Sequence, residues 1–197
     1  MLRIAVTGGI ACGKSLVGAY LREQGVAVTD SDALGHALLA SDEATYEAVL
    51  AAFGEEILDG ESRIDRARLG RVVFSEPARR LDLNGILHPR IRAAWEAWLA
   101  EQAGRVSMAA VQIPLLFEAR LAGCWDAVIC VAATERNQMA RLRARGLTAR
   151  AARQRLAAQL PVRAKMACAD YVVCNDGTKE LAAKQVKLIL SHIAETS

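Results

Sequence analysis

Residues 8–15 read G-G-I-A-C-G-K-S and fit the phosphate-loop pattern G-x-x-x-x-G-K-[ST] at every fixed position. The chemistry this pattern serves is the cradling of a nucleotide triphosphate. Successive backbone N–H groups of such a loop form an anion-binding concavity, and the following helix aims its positive end at the same place. Gly9, Ile10, Ala11, Cys12 and Gly13, with Lys14, Ser15 and Leu16, would hold the phosphates. Lys14 would reach the β- and γ-phosphates, and the Ser15 hydroxyl would help hold Mg²⁺. A chance glycine turn could share this spelling, but its flanks argue for function. Leu2–Val6 is a short apolar run suited to a buried parallel strand, and Ser15–Glu23 continues in helix formers.

Two further groups could act on a transferring phosphoryl. Asp30-Ser31-Asp32 ends a second strand-like run. Asp32 there could orient an acceptor hydroxyl and take its proton, with Asp30 behind it or on a Mg²⁺-bound water. Both could equally be helix caps. Seven arginines lie between Arg136 and Arg155, and Arg141 and Arg145 are spaced i, i+4, on one helix face. Gly146 would stop that helix and Thr148 would cap the next. An arginine-bearing helix pair suits a lid that closes over phosphates, because guanidinium is permanently charged and binds phosphate bidentately. Arg141 is the first candidate and Arg145 the second; the rest read as solvated surface.

The elements that must position these groups alternate. Strands are expected at 2–6, 26–29, 108–113, 127–132 and 171–174, separated by helical stretches, which implies a parallel five-stranded sheet of the α/β class flanked by helices. Ligands bind beyond the carboxyl ends of such strands. The candidate residues follow strands in that way: the glycine loop after the first, Asp32 after the second, 114–118 after the third. About eighty residues with little strand character separate the second and third strands, too many for a simple crossover. Helices are expected over 34–53, 65–74 and 77–103, with breaks at Gly54, Gly60 and His88-Pro89. This reads as a helical insertion that walls a substrate cleft.

Bulk composition narrows the class. The chain has 197 residues, 53% of them hydrophobic, with a net charge of +3. No apolar run approaches the roughly 18–20 residues needed to span a bilayer, and the start of the chain reads as a strand rather than a signal peptide. The five cysteines are odd in number, with no C-x-x-C pair, and read as reduced, buried thiols in a cytoplasmic chain. The charge is too small to argue for nucleic acid, and the arginine stretch lacks interleaved aromatics.

The order G-G-I-A-C-G-K-S, D-S-D, L-N-G-I-L-H-P, I-P-L-L-F-E, R-L-R-A-R, A-D-Y-V-V-C-N-D-G resembles the dephospho-coenzyme A kinase family over nearly the whole chain. The resemblance implies a P-loop kinase that uses ATP, with Mg²⁺, to phosphorylate the ribose 3′-hydroxyl of dephospho-coenzyme A in the last step of coenzyme A synthesis. It implies a nucleotide-binding core (1–32, 106–135 and 166–197), a helical coenzyme A domain (33–105) and a lid (136–165). It assigns Asp32 as base, Lys14 and Ser15 to phosphates and Mg²⁺, and Arg141 to the lid. His88, Pro114, Leu115 and Glu118 match positions near the acceptor, and Asn175 and Gly177 match the loop near adenine. The implied partners are ATP and dephospho-coenzyme A, with no nucleic acid and no membrane, in a monomer or weak oligomer.

Several residues depart from the family pattern. Ala11, Cys12 and Leu16 stand where Gly, Ser and Thr are common, His36 where Arg is usual, and Gln112 where many members carry Asp. If that Asp orders a Mg²⁺-bound water, Gln112 must do so as a neutral group. Two rival readings stay open: a kinase of another small acceptor such as a nucleoside or nucleotide, and a nucleotide-binding switch. For the switch, D-x-x-G occurs at 32–35, but too close to the second strand, and no N-K-x-D signature occurs.

Overall fold

Three apolar runs supply the centre of the molecule. They form β1 (Leu2–Gly8), β3 (Met108–Gln112) and β4 (Ala127–Ala132), and all six residues of β4 are buried. Strands buried on both faces read as continuous apolar runs, which is why these boundaries are legible. The computed structural model describes residues 1–196, without the side chains of Phe74 and Pro77; Ser197, the end of the expected core segment, lies outside the described residues. With β2 (Ala27–Asp30) and β5 (Tyr171–Cys174), the strands form one five-stranded sheet in the order β2-β3-β1-β4-β5. The pairings of β1 with β3, β1 with β4 and β4 with β5 are parallel, with Val6 opposite Gln112 and Thr7 opposite Cys130. β1 is therefore central, and the loops leaving β1, β3 and β4 emerge side by side at the carboxyl edge.

The chain divides into two compact units, residues 30–100 and the remainder. In the larger one, α1 (Lys14–Glu23), α8 (Val162–Ala167) and α9 (Lys179–Glu195) flank the sheet. Val17 and Leu21 of α1, and Ala182, Val186, Leu190 and Ile193 of α9, are buried with strand residues Ile4, Val6, Ile129 and Val131. Two further helices, α6 (Glu135–Ala144) and α7 (Ala149–Ala157), pack Leu142 and Ala152 against Ala11 of the glycine loop. Thr148 caps α7 by accepting from Ala151 N–H, as expected. The helix expected to carry Arg141 and Arg145 ends at Ala144 with Arg145 as its exposed C-cap, whose N–H still bonds Arg141 O at 3.2 Å, and Gly146 at φ 86° follows as the expected stop.

The smaller unit is helical: α2 (Ser31–Ser41), α3 (Glu43–Phe53), a 3₁₀ turn at Glu55–Ile57, α4 (Arg66–Ser75) and α5 (Pro77–Gln102). Val49, Phe53, Ile57, Leu69 and Val73 form its core. Two expectations are corrected here. The single helix expected over 34–53 starts earlier and is two helices. Asp42 takes an extended backbone, and its side chain accepts the Thr45 amide, so a capping carboxylate divides the run. The break expected at His88-Pro89 is absent, and α5 runs through Pro89. An interior proline costs a helix about 3 kcal/mol. Pro89 has no N–H to give the carbonyl of Gly85 four residues before it. Burial of Trp95 and Leu99 further along α5 outweighs that cost.

Candidate active site

The glycine loop leaves β1 at its buried end and turns into α1 at Gly13. Gly13 has φ 102°, and the Asn175 side-chain amide occupies the space a Cβ there would need, so only glycine fits. Ala11 also lies in the left-handed region, at φ 58°. Its methyl group, which the usual glycine lacks, is buried against Leu142 and Ala152, contact that offsets the backbone cost. Lys14 Nζ donates to the carbonyls of Gly8 and Gly9 at 3.1 and 3.2 Å, so its ammonium lies over the mouth of the loop. Burial pushes the Cys12 thiol above its ordinary pKa against the pull of Lys14, leaving a neutral, packed group rather than a nucleophile; Cys130 is buried too, whereas Cys168 and Cys174 are exposed, against the expectation of buried thiols.

Arg141 is bound into this loop. Its Nη1 donates to the carbonyls of Ala11 (3.0 Å) and Cys12 (3.2 Å), and its Nη2 donates to the Asn175 carbonyl (2.6 Å). Asn175 is itself buried, and its Nδ2 donates to Cys12 O at 2.7 Å. The structure thus brings together residues from three distant segments: Cys12 and Lys14 of the loop, Arg141 and Asn175. Gly177 lies two residues beyond, in the exposed loop that leads to α9. Between Asn175 and Gly177, Asp176 accepts from Thr134 N–H and Asn137 Nδ2 and so anchors the start of α6. Those donors hold its carboxyl below the usual range against the opposing effect of burial.

Two glutamines that sequence reasoning missed complete the loop's frame. Gln138 Nε2 donates to Ile10 O at 2.7 Å, and Gln159 Oε1 accepts from Ile10 N at 3.0 Å. Both line a cavity of about 660 Å³ beside Gly9, bounded also by Arg153, Leu160 and Arg163. Glutamine carries no charge and belongs to no motif here, so no sequence signal pointed to it.

The loop after β3 holds Pro114, Leu115 and Glu118. Lys165 of α8, also missed, is fully buried; its Nζ donates to Pro114 O at 2.7 Å and pairs with Glu118 Oε1 at 2.8 Å. Burial opposes ionisation of Glu118, but Lys165 and the Leu160 amide hold its carboxyl below the usual range. Gln112 is buried beside Gly18, where a Cβ would come within 2.5 Å of its Nε2, and its Oε1 has no hydrogen-bond partner. A buried acceptor without a donor suits a metal-bound water. With the exposed Ser15 hydroxyl, it gives the site a fit for nucleotide-borne Mg²⁺. Among the described residues no group of three or more His, Cys, Asp or Glu could hold a metal ion.

Asp32 and His88 belong to the smaller unit. Asp30 is the cap of α2, accepting the amides of Asp32 and Ala33, whereas Asp32 lies exposed in the helix's first turn. His88 is exposed on α5. The His36 ring nitrogen lies 2.8 Å from an Arg66 guanidinium nitrogen, so a guanidinium stands beside the histidine that replaces the usual arginine.

The sequence matches the family model for dephospho-CoA kinase over residues 2–180. The chain belongs to the dephospho-CoA kinase family. It is 42% identical over 196 residues to a Shouchella clausii protein named dephospho-CoA kinase, covering 98% of this chain and 99% of that one. The structure superposes on TT1252 from Thermus thermophilus with a TM-score of 0.79 at 33% identity, covering 97% of each chain. It superposes on the dephospho-CoA kinase from Campylobacter jejuni with a TM-score of 0.72 at 26% identity, covering 98% of each. The dephospho-CoA kinase fold is thus a parallel five-stranded sheet of the P-loop type, flanked by helices. Among the described residues no helix is long and apolar enough to cross a membrane.

Proposed function

We propose that this protein transfers the γ-phosphoryl group of ATP to the ribose 3′-hydroxyl of dephospho-coenzyme A, giving coenzyme A and ADP, the final step of coenzyme A synthesis. The observation that carries this reading is the family match over residues 2–180, joined to a phosphate loop whose Lys14 ammonium lies over its mouth. The backbone amides of residues 9–16 and Lys14 take the triphosphate. Ser15 and Gln112 would hold Mg²⁺ and one of its waters. The ion neutralises charge on the β- and γ-phosphates when bound. Arg141 fixes the shape of the loop from the lid side and sets a permanent positive charge beside the transferring group. Asp32 takes the proton of the 3′-hydroxyl as its oxygen bonds to phosphorus and the bond to the bridging oxygen of ADP breaks.

Residues 33–105 serve as the acceptor domain with His88, and 136–165 as the lid, on a core of 1–32, 106–135 and 166–197. Pro114, Leu115 and Glu118 lie on the acceptor side, Asn175 and Gly177 on the adenine side. The enzyme is read as cytoplasmic, monomeric or weakly associated, and as acting on small molecules; its net charge of +3 is modest. ADP release from Mg·ATP, measured with and without dephospho-coenzyme A, tests the assignment. Release should depend on that acceptor by a large factor. Equal release with a plain nucleoside would assign a different acceptor, and release indifferent to any acceptor would point to a switch.

A further inference from the structure

Among the described residues Lys165 is the largest fully buried side chain, and an ammonium is not placed there without a reason. Taking a charge out of water is expensive, and the expense is met only when a counter-charge and hydrogen bonds surround it. Lys165 has both: Glu118 Oε1 at 2.8 Å and Pro114 O at 2.7 Å. Pro114 O also lies 3.4 Å from Thr7 Oγ1, at the last turn of β1 before the glycine loop. Glu118 Oε1 accepts in addition from Leu160 N–H at 3.0 Å, where the lid returns towards α8. One carboxylate oxygen and one carbonyl therefore join three segments: the end of β1, the loop after β3 and the base of the lid.

The other carboxylate oxygen, Glu118 Oε2, is buried and has no partner. A charged acceptor with both of its protein bonds on one oxygen leaves the second for a donor from outside the chain. From this geometry we infer that Lys165 is a positioning residue for the acceptor. It neutralises Glu118 from behind, holds it ionised, and fixes its rotamer so that Oε2 is presented to a hydroxyl or amide N–H of the acceptor. The inference rests on the reading of Glu118 as an acceptor-side group. It also explains why the loop places a carboxylate four residues after Pro114: Lys165 spans both ends of that segment at once.

A double-substitution cycle tests it, read as KM for dephospho-coenzyme A, KM for ATP and kcat, with the fold checked by melting temperature. Lys165→Met in the unsubstituted background should raise acceptor KM about tenfold or more and leave ATP KM within about threefold. In a Glu118→Gln background the same substitution should change acceptor KM by less than about twofold, because the group through which Lys165 acts has already lost its charge. Should Lys165→Met fail to fold, Lys165→Gln, which keeps a donor for Pro114 O, replaces it in both backgrounds. An unchanged acceptor KM in a folded variant, or an equal rise in both backgrounds, would overturn the inference. Acceptor-independent ADP release by the unsubstituted protein would instead remove the functional reading beneath it.

Discussion

The carboxylate of Asp30 accepts the amide of Asp32, two residues on, at 2.8 Å. Asp30 ends the orphan N–H groups of α2, and Asp32 is left with an exposed carboxylate in the first turn. Asp30 is therefore a cap, and the proposed role of Asp32 as base is what substitution distinguishes. Asp30→Ala should cost about 1 kcal/mol of stability, the usual worth of such a cap, seen as a lower melting temperature. Asp32→Asn should leave the melting temperature in place and lower kcat by about 10²–10⁴-fold, with ATP binding kept. Early melting of Asp32→Asn with an intact rate per folded molecule would show Asp32 to be structural.

Lys14→Ala should lower turnover on the order of 10²-fold or more, since removing a preorganised charge from a phosphoryl-transfer site deletes one of its largest contributions. The variant's ATP-induced rise in melting temperature should shrink. A full rise with full turnover would remove Lys14 from the phosphate site.

Arg141 holds three carbonyls, on Ala11, Cys12 and Asn175, with one planar fork. A lysine has the charge but not the fork. Arg141→Lys should lower kcat clearly and also lower the melting temperature, while Arg150→Lys, at an exposed position on α7, should do neither. Equal, mild behaviour of the two variants in steady-state assays would make Arg141 ordinary surface.

Much of this arrangement was legible beforehand. The strands were legible because a parallel sheet buries both faces, which leaves continuous apolar runs such as 127–132. The glycine loop and Arg141 were legible because phosphate chemistry needs those residue types. What escaped was of two kinds. Pro89 was expected to break a helix, but the packing of Trp95 and Leu99 outweighs a local penalty, and such packing is not visible in a window of sequence. Lys165, Gln138 and Gln159 lie more than forty residues from the groups they hold. Nothing in their spacing marks them, and a lone lysine after seven arginines reads as solvated surface until the sheet folds over it.

The caps of the smaller unit give it an acid limb. Asp42 is held below the usual carboxylate range by the Thr45 hydroxyl and amide, and Asp65 by the amides of Arg68 and Ala67. A carboxylate with a depressed folded-state pKa binds its proton more readily in the unfolded chain. Its stabilisation is therefore complete above about pH 4 and is lost as pH falls through the lower folded value. Melting temperature should be flat from neutrality to about pH 5 and fall below about pH 4. Asp42→Asn with Asp65→Asn, which still cap but do not titrate, should flatten that fall; an unchanged acid limb would assign it to other groups.

The most direct test of the account is the position of the new phosphate. The protein would be incubated with Mg·ATP and dephospho-coenzyme A, and the product separated and examined by phosphorus and proton NMR. The account predicts a single new phosphomonoester on the ribose 3′-oxygen, in amounts equal to the ADP formed. A phosphate on the 2′-oxygen, on another acceptor, or only in solution as inorganic phosphate would contradict it.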